Sequence, residues 1–124
     1  MRPQPSRDPV PSDSSIVIKA LVRAADRLDV PNKTVAKIIG VSEASFSRMR
    51  RGDYLLEGKP LELAVMFVRL YRSLDAVGGG DDTVARAWLR NTNTALKDYP
   101  IDLIQTVAGL TDVIQYLDAR RAVS

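Results

Sequence analysis

The amino-acid sequence predicts an all-α fold, with a helix-turn-helix in the N-terminal half followed by a small helical domain. Two short helical segments joined by Gly40 lie between residues 33 and 51, and a longer, strongly apolar segment begins at Leu61. A further helix is predicted before them, because its apolar residues recur at the helical period. These residues are Val17, Leu21, Ala24, Ala25 and Leu28.

The composition of the chain argues against several classes of function. The 124 residues suffice for one ordinary core, or for two small cores that share a long helix. Cysteine is absent, which excludes disulfides and thiolate metal sites, and the absence of histidine removes the commonest general base and imidazole ligand. No apolar run approaches the ~18–20 residues of a membrane span, and no signal-peptide core is found. A carboxylate-only or Ser-Lys enzyme remains an alternative, but we expect a cytoplasmic protein with no catalytic residue, metal or cofactor and no membrane partner.

The chain is expected to divide into three parts. Residues 1–13 hold four of the seven prolines and no periodic apolar pattern, which predicts a disordered tail. Residues 14–58 form the predicted helix-turn-helix domain. Residues 59–124 form a predicted helical domain for dimerisation and partner binding.

Capping residues and glycines set the expected helix ends in the N-terminal half. The first helix is expected to begin within Asp13–Ser15, to run to about Asp29, and to be broken by Pro31 and Asn32. In the two helices after it, Thr34 and Ser42 are the expected caps, and Gly40 and Gly52 are the expected C-terminal ends. Phe46 and Met49 are three residues apart, so they are expected to pack inward together.

Basic residues are concentrated in this motif, where five of them stand against one acidic residue between positions 33 and 51. A basic stretch on a helix-turn-helix is typical of a DNA-binding surface. Residues early in the second helix are expected to meet base edges, with Arg48 as the best guanine contact, while flanking basic residues hold phosphates. The predicted DNA-binding residues are Lys33, Lys37, Ser42, Glu43, Ser45, Ser47, Arg48, Arg50 and Arg51. A helical hairpin that binds nothing remains the alternative interpretation.

The segment after Gly52 predicts a long helix with an unusually broad apolar surface. Pro60 suits the first turn of this helix, which is expected to run from Leu61 to about Ala76. Because the helix is apolar on nearly every side, it must be covered on several sides. A central core helix and a dimer interface both satisfy that requirement.

The triple glycine at residues 78–80 predicts a hinge or tight turn, followed by the capping candidates Asp81 and Asp82. It does not match a phosphate-binding loop, because the Gly-Lys-Ser/Thr ending is missing. A nuclease that uses the two aspartates is disfavoured, since adjacent residues point to different sides of a helix start and no third ligand is near. Trp88 is expected to be a core residue.

The C-terminal half resembles the toxin-binding domain of Xre/MbcA/ParS antitoxins. The resemblance rests on Ala87-Trp88-Leu89-Arg90-Asn91-Thr92-Asn93, then Ala95-Leu96, Pro100, Asp102-Leu103-Ile104, Thr106, Gly109, Val113 and Leu117. In that family a tryptophan-leucine pair precedes an asparagine-rich turn, a proline opens a helix ending at a glycine, and a last helix follows. The resemblance covers roughly residue 61 to the C-terminus, and an Xre-like helix-turn-helix extends it to about residue 16.

This resemblance implies an antitoxin that neutralises a RES-domain, NAD-degrading toxin and represses its own operon by binding operator DNA. The broad apolar surface of the long helix adds the expectation of a homodimer. The resemblance also implies that the C-terminal end approaches the toxin active site. The expected toxin-binding residues are Tyr116, Arg120, Arg121, Val123 and Ser124. Either arginine alternatively serves only to stabilise the helix C-terminus. A stand-alone helix-turn-helix repressor with a helical dimerisation domain is the alternative function.

Overall fold

A computed structural model describes residues 13–123, with side chains through residue 122, and confirms the all-α fold. Within these residues the only β feature is an isolated bridge between Asn93 and Asp98. The helices are α1 (Asp13–Arg27), α2 (Asn32–Ile39), α3 (Glu43–Arg50), α4 (Gly58–Val77), α5 (Asp82–Arg90), α6 (Pro100–Leu103) and α7 (Val107–Val123). Of the predicted disordered tail, residues 1–12 lie outside the described residues, and Asp13 already belongs to α1.

The long helix α4 lies at the centre of the molecule and packs against α1, α2, α5 and α7. Its buried residues contribute to one continuous hydrophobic core that extends into both halves of the chain. They are Leu63, Ala64, Phe67, Leu70, Ser73 and Leu74. The structure therefore gives α4 the role of a central core helix, although Val65 remains 48% exposed on its outer side.

The turn of the helix-turn-helix forms as its glycine and serine predict. Gly40 has φ of 79°, a left-handed conformation that glycine adopts without steric cost, and its N–H donates to the carbonyl of Ala36. Ser42 caps α3, because its Oγ accepts a hydrogen bond from the N–H of Ser45 at 3.0 Å. The prediction that Thr34 caps α2 is wrong. The helix begins at Asn32, and the carbonyl of Pro31 accepts the first helical hydrogen bond from the N–H of Val35. The fixed φ of proline suits this position at a helix start.

The C-terminal half differs from its expected helix ends in two places. Pro100 opens α6 as expected, but α6 ends at Leu103 and not at a glycine, and α7 already begins at Val107. Gly109 consequently lies in the first turns of α7 rather than at the end of the preceding helix. A side chain is not tolerated there, because a Cβ on Gly109 would overlap the carbonyl oxygen of Leu103.

Trp88 is not a core residue, contrary to the sequence-based expectation. It is only half-buried on α5, whereas Ala85 and Leu89 of the same helix are completely buried. Asp81 behaves as predicted: its side chain caps α5 by accepting a hydrogen bond from the N–H of Thr83.

Candidate functional sites

Helix α3 separates into a buried face and an outward face. Phe46 and Met49 are 0% and 1% exposed, which confirms that they pack inward. Glu43 and Arg48 are exposed on the other side, whereas Ser45 and Ser47 are half-buried. The Oγ of Ser42 also donates to the Oγ of Ser45 at 2.9 Å, so the two hydroxyls form a linked pair at the start of the helix.

Arg48 is held on this outward face by an aromatic ring. Its guanidinium lies 5.2 Å from the centroid of Tyr54, in the segment that connects α3 to α4. A cation–π contact restrains the side chain without using its N–H donors. The geometry leaves Arg48 able to donate a bidentate pair of hydrogen bonds to a ligand.

The side chain of Arg50, two residues later, instead forms hydrogen bonds and an ion pair within the protein. Its Nε donates to Oδ1 of Asn32 at 2.9 Å, and Nη2 forms an ion pair of 2.8 Å with Asp26. The guanidinium also lies 5.1 Å from the ring centroid of Phe46. These contacts connect α3 to α1 and to the first residue of α2, and Asp26 offsets much of the charge of Arg50.

The remaining basic candidates lie on the exposed surface of the motif. Lys33 is at the N-terminal turn of α2 and Lys37 in its last turn, while Arg51 follows the end of α3. Side chains at these positions can reach a phosphate backbone while the start of α3 enters a groove.

A second surface forms where α5, α7 and the segment between α5 and α6 meet. The rings of Trp88 and Tyr116 are stacked, with centroids 6.2 Å apart and planes inclined by 23°. Nη1 of Arg120 donates to the hydroxyl of Tyr116 at 3.1 Å. Hydrogen bonds to Arg120 and to Asn93 lower the pKa of Tyr116 below its ordinary value, because both stabilise the phenolate. We refer to Trp88, Tyr116 and Arg120 together as the aromatic surface.

Arg121 points to a different side of α7 than Arg120 does. Its Nη1 donates to Oγ of Ser73 at 3.1 Å, and Ser73 is fully buried on α4. The Oγ of Ser73 donates in turn to Asp118, which also pairs with Arg69. Partial burial opposes ionisation of Asp118, but hydrogen bonds from Ser73 and Arg69 outweigh it and hold the pKa of Asp118 below its ordinary value.

The structure therefore does not bring the predicted toxin-binding residues to one place. Tyr116 and Arg120 lie together beside α5, whereas Arg121 lies along the contact between α7 and α4. Ser124 and the side chain of Val123 lie outside the described residues.

Comparison with known families finds a match for each half of the chain. Residues 10–69 match the antitoxin Xre-like helix-turn-helix domain, and residues 73–122 match the antitoxin Xre/MbcA/ParS C-terminal toxin-binding domain. The chain belongs to the Xre/MbcA/ParS antitoxin family. A search of curated proteins gave no match.

The two domains support DNA binding and toxin neutralisation as the general activities of this antitoxin, and indicate a non-enzymatic regulator. No helix between residues 13 and 123 is long and apolar enough to cross a bilayer. The same part of the chain contains no group of three or more acidic side chains placed to hold a metal ion.

Sequence reasoning missed Trp88 as a functional candidate, because a lone tryptophan in an amphipathic helix usually belongs to the core. A signal for its exposure was available in the helix itself. Ala85 and Leu89 are four residues apart and define the buried stripe of α5, so Trp88 lies at the edge of that stripe.

A second missed residue is Arg90, which connects the two domains of the antitoxin. Its Nη1 donates to the carbonyl of Leu28 at 3.0 Å, and its Nη2 donates to the carbonyl of Asp29 at 2.6 Å. These carbonyls belong to the turn between α1 and α2. The last turn of α5 therefore fixes the turn that precedes the helix-turn-helix.

Proposed function

We propose that this antitoxin neutralises a RES-domain, NAD-degrading toxin with its C-terminal end, and that its homodimer represses its own operon. The observation that carries the proposal is the aromatic surface next to the last helix, on the same chain as a helix-turn-helix with an outward arginine. The resemblance of the segment from Trp88 to Leu117 to antitoxins of RES toxins supports this type of partner.

The aromatic surface has the composition of a protein-binding hot spot. Tryptophan, tyrosine and arginine dominate such sites, and the rings of tryptophan and tyrosine bury much apolar area while losing little conformational entropy. Trp88 and Tyr116 are both half-buried, and their stacking orders them before a partner arrives. A toxin that covers this pair gains contact area without having to order it.

Arg120 extends this surface toward the end of α7. A guanidinium can pair bidentately with a carboxylate on a partner protein. Arg120 is oriented by Tyr116, so it is the better candidate of the two C-terminal arginines for toxin contact. Arg121, Val123 and Ser124 remain proposed contacts at the end of the chain.

For operator DNA, we assign base contacts to the start and outward face of α3, and phosphate contacts to the residues around it. Glu43, Ser45 and Arg48 are the proposed base-reading residues. The proposed phosphate contacts are Lys33, Lys37, Ser42, Ser47 and Arg51. Arg50 acts mainly by holding α3 in place, since its guanidinium is bonded to Asp26 and Asn32.

Co-expression with the product of the neighbouring gene tests toxin neutralisation. We expect the two proteins to copurify, and NAD consumption by the toxin to be suppressed in the complex. Trp88→Ala should weaken both effects, whereas Val84→Ala, at an exposed valine on the same helix, should leave them unchanged. Neutralisation that survives loss of Trp88 would remove the aromatic surface from the toxin interface. A partner that does not consume NAD would exclude a RES toxin.

A further inference from the structure

The outer face of α4 carries an apolar residue between charges of opposite sign. Glu62, Val65, Arg69 and Arg72 are all exposed, at successive spacings of three, four and three residues. This spacing places them along one side of the helix, as in the contact seam of paired helices. The opposite face of α4 is buried in the core, so this seam is available to a partner.

Helix α1 widens this seam into an apolar groove of about 270 Å³. Ile16 is 55% exposed and Val65 is 48% exposed, and both line the groove. Val17, Ala20 and Val68 complete its apolar wall, while Arg69 and Arg72 lie at its edge. Burying these side chains removes apolar area from water, which favours association.

We propose that a second copy of this chain covers the groove, with the two α4 helices antiparallel and Val65 near the twofold axis. The charges of α4 are self-complementary in this arrangement. Glu62 precedes Val65 by three residues and Arg69 follows it by four, so the two residues lie at similar distances along the helix on opposite sides of Val65. Glu62 of each copy then faces Arg69 of the other, which gives two symmetric ion pairs.

The existing contact of Arg69 is compatible with this pairing. Arg69 is bonded to Asp118 of its own chain, yet its side chain is 62% exposed. A guanidinium has five N–H donors and can bridge two carboxylates. Asp118 therefore positions Arg69 for Glu62 of the partner copy.

The proposed interface leaves the DNA-binding surface uncovered. The groove uses Ile16, Val17 and Ala20 of α1, whereas Met49 and Arg50 of α3 border a separate groove on the other side of α1, along Ile18 and Val22. This inference rests on the proposed function, since it supplies the homodimer that a twofold-symmetric operator requires. It is nevertheless measured without DNA or toxin, so its failure is distinguishable from failure of the repressor or antitoxin role.

Sedimentation equilibrium on the full chain over a range of concentrations tests the interface. We expect a reversible monomer–dimer equilibrium, with E62R and R69E each weakening dimerisation by about tenfold or more, because each places like charges opposite one another. The double variant E62R/R69E restores the pairs in reverse and should recover most of the affinity. Both R69E and the double variant lose the contact with Asp118. That loss therefore does not explain why the double variant would dimerise more tightly than R69E. Glu57→Arg makes the same charge change outside the seam and should dimerise as the original chain does.

Cysteine cross-linking gives an independent measurement, because the chain contains no cysteine. Under mild oxidation V65C should form a disulfide-linked dimer, whereas V84C should not, although Val84 is equally exposed at 48%. The proposal is overturned if the chain is monomeric at all concentrations, if the double charge variant fails to recover, or if both cysteine variants cross-link equally. It is also overturned if E62R abolishes toxin copurification while V65C stays uncross-linked, since the toxin would then occupy this face.

Discussion

The helix-turn-helix and the last turn of α7 each contain two arginines close together in the sequence, and the two members behave differently in both places. In the helix-turn-helix, Arg48 lies over a tyrosine ring and faces outward, whereas Arg50 is hydrogen-bonded to two other helices. At the end of α7, Arg120 is held by a tyrosine and Arg121 is bonded to α4. Counting basic residues therefore overstates how many guanidinium groups either region offers to a partner.

The chemical difference lies in how each arginine is restrained. A tyrosine ring orients a guanidinium and leaves most of its donors for a ligand. Bonds to Asp26 and Asn32, or to Ser73, use those donors inside the protein. We infer that recognition and structural support are divided between the two arginines in each case.

The largest effect is expected from Gly109→Ala, which tests whether the aromatic surface depends on the packing of α6 against α7. A Cβ would overlap the Leu103 carbonyl, so α6 and α7 must separate, at a cost of about 3 kcal/mol. Chemical denaturation should show this loss, and toxin copurification should fall with it. Ala108→Ser, at the exposed neighbouring position, is the control and should leave both unchanged. Stability equal to that of the original chain would show that the joint between α6 and α7 adjusts freely.

The role of Gly109 also shows where sequence reasoning stops. Gly40 and Ser42 act within their own turns, so the pattern of the sequence was enough to predict them. The need for glycine at Gly109 arises only because Leu103 comes close, which depends on how α6 packs. For the same reason, the contact from Arg90 to a turn 61 residues earlier leaves no local pattern.

The same distinction between local contacts and contacts distant in sequence applies to the residues of the candidate sites. The exposed position of Arg48 follows from its place on α3 opposite Phe46 and Met49, which the helical period predicts. The internal position of Arg50 does not, because its partners Asp26 and Asn32 precede it by 24 and 18 residues. Sequence reasoning therefore predicted the outward position of Arg48, but it could not predict the contacts that Arg50 makes inside the protein.

Arg48→Ala is expected to have the next largest effect, on DNA binding alone. Loss of a bidentate base contact should weaken binding to the antitoxin's own promoter fragment by about 1–3 kcal/mol and reduce discrimination against unrelated DNA. The free energy of unfolding should change little, since the side chain is exposed. Titrations of both DNAs at one salt concentration measure the effect. Equal losses on both would reassign Arg48 to phosphate contact.

Arg50→Ala should give the reverse pattern. It removes hydrogen bonds to Asn32 and Asp26 and the cover of Phe46, so we expect a loss of about 1 kcal/mol in unfolding free energy. DNA binding should weaken less than in Arg48→Ala, and by a similar factor for promoter and unrelated DNA. A stable Arg50→Ala variant with strongly reduced promoter specificity would contradict the structural role.

The smallest effect concerns Tyr116 and separates Arg120 from Arg121. The hydrogen bond from Arg120 lowers the pKa of Tyr116 from its ordinary value of 10.0, so Arg120→Ala should raise it, whereas Arg121→Ala should leave it unchanged. The tyrosine ring carbon resonance, followed by NMR as pH is increased, reports this pKa directly. Because the folded-state pKa is lowered, the phenolate stabilises the fold above the unfolded-state pKa. This stabilisation is lost as pH falls through the folded-state pKa. The pH window in which stability changes therefore lies just below the pKa of a free tyrosine. An equal shift in both variants would show that Tyr116 senses the total charge at the end of α7 and not its bond to Arg120.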